Sequence, residues 1–133
     1  MMAGLVDDAG MNARKSPMAF PVRIPFVEQL GLELHACAGG EAELRVNLAD
    51  WHLNSWAVAH GGVLMTLLDV AMAHAARSHD LLQGPGVATI EMKTSFLRPA
   101  EGELRALGRL LHRTATMAFC EGRVLDEIGR AHV

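Results

Sequence analysis

The chain has 133 residues, half of them apolar and 20% charged, the balance of one domain that can bury a core and not of a disordered polymer. Fifteen acidic residues against twelve basic ones give a formal charge of -3, and no run of Lys or Arg forms a stripe able to neutralise a phosphate backbone, so no nucleic-acid partner is expected. Cys37 and Cys120 are too few for the disulfide framework of a small secreted domain and read as reduced packing residues.

In chain order, residues 1–20 carry Asp7 and Asp8 without a continuous apolar core, which does not match a signal peptide; they are expected to be a flexible leader to a single domain over residues 21–133, in the cytoplasm. Pro25 to Gly31 predicts a short helix, with Phe26, Val27 and Leu30 on one side and Gly31 as the stop. Leu32, Leu34 and Ala36 precede Gly39-Gly40, after which Ala42, Leu44, Val46 and Leu48 alternate with Glu41, Glu43, Arg45 and Asn47. That period predicts a hairpin whose charged face is wet. Residues 49–60, with Trp51, Asn54, Ser55 and Trp56, lack periodicity and read as a loop in which the tryptophans pack.

From Gly61 to about Ser78 nothing breaks a helix, and Leu64, Leu67, Leu68, Val70, Ala71 and Ala75 cover most of its directions. Such a helix must be enclosed by other elements. Asp69 near the middle of the apolar stretch 56–76 costs about 2.5 to 3.5 kcal/mol in a bilayer, and no second apolar segment follows, so a membrane span is not expected. Beyond Gly84-Pro85-Gly86, Ala88, Ile90, Met92 and Phe96 alternate with Thr89, Glu91, Lys93 and Ser95, predicting a third strand. Runs over about 103–112 and 115–125 alternate less cleanly, and Asp126 to Gly129 resembles a turn into a last strand. One central helix among antiparallel strands is an α+β arrangement, the sheet either wrapped round the helix or flat against it.

Asp69 is the anomaly. Its helical neighbours at three and four positions are Met65, Thr66, Met72 and Ala73, none of them a cation. A carboxylate there must reach a distant partner, stay protonated or face a solvent-filled site. His60-Gly61-Gly62 opens the helix, and the first amides of a helix lack internal acceptors and carry the positive end of its dipole, so they either stabilise an anion or simply begin a helix against a crowded neighbour. Eight residues separate Gly61 from Asp69, about 12 Å of helix. One reacting carbonyl cannot touch both, and a shared substrate calls for a second, antiparallel copy of the helix.

The segment NSWAVAHGGVLMTLLDVAMAHAA, with Asn54, His60-Gly61-Gly62 and Asp69 at these spacings, and the later VATIEMKTSFLRPA resemble hotdog thioesterases of the phenylacetate-pathway (PaaI) type. The resemblance covers about residues 24–133 and implies the hotdog fold, an antiparallel sheet wrapped around one long central helix, in a homodimer or a dimer of dimers. It implies acyl-CoA hydrolysis, with coenzyme A as part of the substrate and no metal or bound cofactor. Asp69 is then general base or nucleophile, and the Gly61 amide of the partner subunit holds the oxyanion. Asn54 and His60 orient the acyl carbonyl, or act as a loop hydrogen-bonder and a helix cap; Thr89 offers a hydroxyl that positions water, or is a strand former. Gly62 lets substrate approach closely, and Arg77, Lys93 and Arg98 are candidates for the CoA phosphates. Where some relatives carry Ser or Thr one turn after the carboxylate, this chain has Ala73, so hydroxyl help must come from elsewhere. The rival reading is a hotdog protein that binds acyl-CoA without turning it over. The seven histidines are scattered without metal-ligand spacing, and His74 and His79 read as cations at the helix C-terminus.

Overall fold

Residues 16–80, 84 and 86–133 are described in the computed structural model, so residues 1–15 of the expected leader and Pro85 of the expected turn lie outside the described residues. Met18, at the end of that leader, donates its N–H to the Leu34 carbonyl at 2.7 Å. Helix α1 (Pro25–Leu30) starts on Pro25 and stops at Gly31, whose φ of 69° is the left-handed cap a glycine adopts without steric cost. Val27 alone of its expected apolar side is fully buried, while Phe26, one step round the helix, is exposed.

Strands β1 (Glu33–Ala38) and β2 (Glu41–Asn47) form the expected antiparallel hairpin, turning on Gly39 and Gly40 at φ 61° and 86°. Two successive positive φ values match the twist of paired strands, and two glycines supply them. Helix α2 (Gly61–Arg77) is followed by β3 (Glu103–Arg113) and β4 (Ala118–Leu125), and the sheet order is β1-β2-β3-β4, antiparallel throughout. Ala131 bridges Leu125, so the chain end pairs with β4 as the turn after Asp126 foretold.

The sheet wraps α2. Leu34, Leu44, Val46, Leu104, Ala106 and Val124 face Leu64, Leu67, Leu68 and Ala71 in one buried cluster. The approach is closest at Gly108, where an added Cβ would stand 2.5 Å from the Ala71 carbonyl carbon and oxygen. Among the described residues no helix is long and apolar enough to cross a membrane.

Three expectations need correction. The stretch 88–96 is not a strand: among the described residues its backbone has no ladder partner, and only the next residue, Leu97, donates to the His132 carbonyl, at 2.8 Å. An alternating pattern makes a strand only where a neighbouring strand is available. The charged face of β2 is not wet, because Glu41, Glu43 and Arg45 are all buried. Glu43 accepts from Arg45 Nε at 2.6 Å on the same face. Finally, Trp51 and Trp56 do not pack into the protein; they are 74% and 81% exposed.

Candidate active site

The loop from β2 to α2 is held from both sides. Leu48 and Ala59 donate to the carbonyls of Gly102 and Ala100 at 3.0 and 2.9 Å. Buried His52 accepts the Ala49 N–H on Nδ1 at 2.9 Å, which leaves Nε2 as the donor to the Leu30 carbonyl at 2.7 Å. Asn54 Oδ1 accepts from the N–H of Trp56 at 2.9 Å and of Val58 at 3.4 Å, closing the bend that places Ala57 at φ 58°. A side-chain carbonyl standing in for a backbone acceptor is the usual work of Asn in a turn. Its amide nitrogen has no partner among the described residues.

This loop delivers His60 to the N-cap of α2 with φ -63° and ψ 136°, and its Nδ1 accepts the Gly62 N–H at 2.9 Å. The neutral ring then carries its proton on exposed Nε2. Val63 turns back to the His60 carbonyl at 2.9 Å. The three first amides of α2 are therefore unequal: those of Gly62 and Val63 are used, while the Gly61 N–H meets no acceptor among the described residues. It lies at the positive end of a 17-residue helix. The ring of Phe96 stands against Gly61, its Cε1 and Cζ 3.4 Å from where a Cβ would be.

Two turns on, Asp69 is half-buried. Its Oδ1 accepts from the Thr89 hydroxyl, and it forms no ion pair among the described residues. Its other oxygen accepts nothing there. Thr89 thus provides the hydroxyl that Ala73 does not. The structure brings Asp69 together with Thr89, and His60 with Gly61 and Gly62, but the two groups share one helix about 12 Å apart by its rise.

The three candidate cations lie apart in the fold. Lys93 and Arg98 are exposed on the stretch running past α2, and Arg77 is half-buried at the helix C-terminus. His74 corrects the expectation of a cation there. It is buried, Nδ1 donates to the Val70 carbonyl at 2.8 Å, and burial pushes its pKa below the ordinary value of 6.5. Both cysteines are free, and burial raises their pKa values; their thiols point at the carbonyls of His74 and Met72 on α2. Sequence reasoning places Phe96 at a strand position and in the SFLRP stretch of the family resemblance, neither of which signals its contact with Gly61.

An antiparallel sheet wrapped around one long helix is the hotdog arrangement. Residues 57–131 match the family described as the thioesterase superfamily. A medium/long-chain acyl-CoA thioesterase of Salmonella typhimurium, YigI, is 32% identical over 97 residues, covering 62% of this chain. The chain spans 63% of that relative's length. A conserved protein of Pseudomonas aeruginosa superposes with a TM-score of 0.80 at 28% identity, over 87% of this chain and 92% of that one. A mutant of the phenylacetic acid degradation protein PaaI from Thermus thermophilus gives 0.73 at 30% identity, over 82% and 91%. The chain belongs to the thioesterase superfamily and has its hotdog fold.

Proposed function

We propose that this chain hydrolyses an acyl-CoA thioester, aromatic or medium-chain, to the free acid and CoA, in a homodimer or a dimer of dimers. The observation that carries the reading is a carboxylate that, among the described residues, has no cation beside it, is oriented on one oxygen by Thr89 and is open on the other, in a helix whose first amide is also open. Similarity to a protein named as an acyl-CoA thioesterase supports the substrate class.

In this reading Asp69 takes a proton from water as the water oxygen bonds to the thioester carbon. The carbonyl oxygen becomes an oxyanion and accepts the Gly61 N–H of the partner subunit. The intermediate collapses with cleavage of the carbon–sulfur bond, and the departing thiolate takes the proton back from Asp69. Asn54 and exposed His60 Nε2 each have a donor left over to aim the carbonyl, and Gly62 keeps the approach open. Lys93 and Arg98, with Arg77, meet the CoA phosphates. No metal or cofactor enters any step. Asp69 as nucleophile, forming a mixed anhydride that water then opens at the Asp69 carbonyl, is told apart by a single turnover in heavy-oxygen water, where the product would carry an oxygen from the enzyme and the solvent oxygen would stay in Asp69.

Two facts support the dimer. One carbonyl cannot span the length of α2 between Gly61 and Asp69, and the stretch 86–96 beside the helix has no ladder partner among the described residues, with Ile90 80% exposed. An unpaired extended segment with apolar side chains is a template for a second copy. The test is thiol release from a panel of aromatic and straight-chain acyl-CoAs. Asp69→Asn, which keeps shape and removes the base, is expected to lower kcat at least about a hundredfold. Equal release by both proteins would refute the mechanism, and saturable acyl-CoA binding without release by the wild type would establish the non-catalytic rival.

A further inference from the structure

We infer that Phe96 is a positioning residue that keeps the Gly61 amide dry and unoccupied and walls the thioester carbonyl against it. The inference rests on the reading of Gly61 as the oxyanion donor. Of the first three amides of α2, only that of Gly61 is left without an acceptor among the described residues, and the side chain standing against that residue is apolar. The tip of the ring, Cε1 and Cζ, meets Gly61 at van der Waals distance from an added Cβ, yet the side chain is 53% exposed. A phenylalanine in a core would be enclosed; here the tip of the ring contacts Gly61 and about half of the side chain is left exposed.

Its backbone is fixed close by. The next residue, Leu97, donates to the His132 carbonyl at 2.8 Å, and the chain end is tied to β4 through Val124 N–H to the Val133 carbonyl at 3.0 Å. His132 also meets Asp126 Oδ2 at 3.0 Å through Nε2. The ring is thus carried on an anchored segment, although residues 86–95 before it have no ladder partner among the described residues.

The consequence is electrostatic. An N–H that donates to a developing oxyanion is worth most where no water competes and the local dielectric is low. A phenyl ring offers the amide no acceptor and displaces water from its flank. A smaller side chain lets water solvate the amide before substrate arrives, and a side chain with a carbonyl oxygen occupies it.

Steady-state thiol release from one good acyl-CoA substrate tests this with Phe96→Leu, Phe96→Ala and Phe96→Gln, beside wild type and Asp69→Asn. The expected order of kcat is Phe, Leu, Ala, Gln: a loss of about threefold for Leu and about tenfold or more for Ala, with Gln lowest, while KM changes by less than about threefold. Thermal midpoints should not follow that order, because the side chain is half-exposed and Leu keeps most of its volume. If Asp69→Asn is dead but Leu, Ala and Gln all stay within about twofold of wild type, or if kcat falls only in step with the thermal midpoint, the role of Phe96 is refuted and that of Asp69 stands. If wild type and Asp69→Asn release thiol equally, the reading of the site fails, and the assignment of Phe96 with it.

Discussion

His74 shows how far one residue can depart from what its position in the sequence implies. A histidine in the last turn of a helix is favoured as a cation by the helix dipole. Here burial outweighs that field, because the ring is enclosed and packs edge-on against Phe20 with centroids 5.3 Å apart. Its pKa is depressed first by desolvation, with the Arg77 charge acting in the same direction. The unfolded chain takes up a proton at this residue as pH falls through 6.5 while the folded chain does not, so stability is lost below about pH 6.5. Urea midpoints should fall between pH 7.5 and 5.5, and less steeply for His74→Gln. An equal slope for both proteins would show that His74 does not titrate on unfolding. Asp69 was legible for the opposite reason: its anomaly is local, since no cation lies within one turn on either side. Its partner Thr89 lies twenty residues on, and only the fold brings the two together.

At the level of elements, α1, the β1–β2 hairpin and α2 were all legible from period and glycine placement, with α2 ending one residue short of the expected Ser78, which becomes its C-cap. β3 alternates poorly because its helix-facing positions include Ala106 and Gly108, small where a periodic reading looks for large apolar residues. They are small because α2 packs backbone to backbone there, with Ala71 against Gly108. Gly108→Ala is therefore expected to cost at least about 2 kcal/mol, in the range of strained small-to-large core changes, and to lower the urea midpoint without lowering the m-value. A loss under about 0.5 kcal/mol would mean that the helix can step back from the sheet. The buried Glu43–Arg45 pair was not legible, because an alternating charged strand face looks the same whether solvent or protein covers it.

For the whole molecule, the fold could be read from one chain, but the proposed catalytic unit needs two. The stretch 86–96 marks that boundary: its pattern is that of a strand, and among the described residues of one chain it has no ladder partner. The proposed dimer would place the Asp69 of each subunit beside the Gly61 amide of the other, so a variant lacking Asp69 and a variant lacking that amide should repair each other. Gly61→Pro deletes the N–H at the cost of a small ring whose Cβ meets Phe96 at ordinary van der Waals distance, and the helix should persist, since Pro is well tolerated at the first position of a helix and the φ and ψ of His60 already suit a following proline. Alone it should lower kcat about a hundredfold or more. Unfolded, mixed with Asp69→Asn and refolded together, the two inactive proteins should recover about a quarter of wild-type thiol release, because half of the dimers are mixed and each holds one intact site. Recovery at that level is the result this account predicts, and a mixture of confirmed heterodimers as inactive as its parents would contradict it.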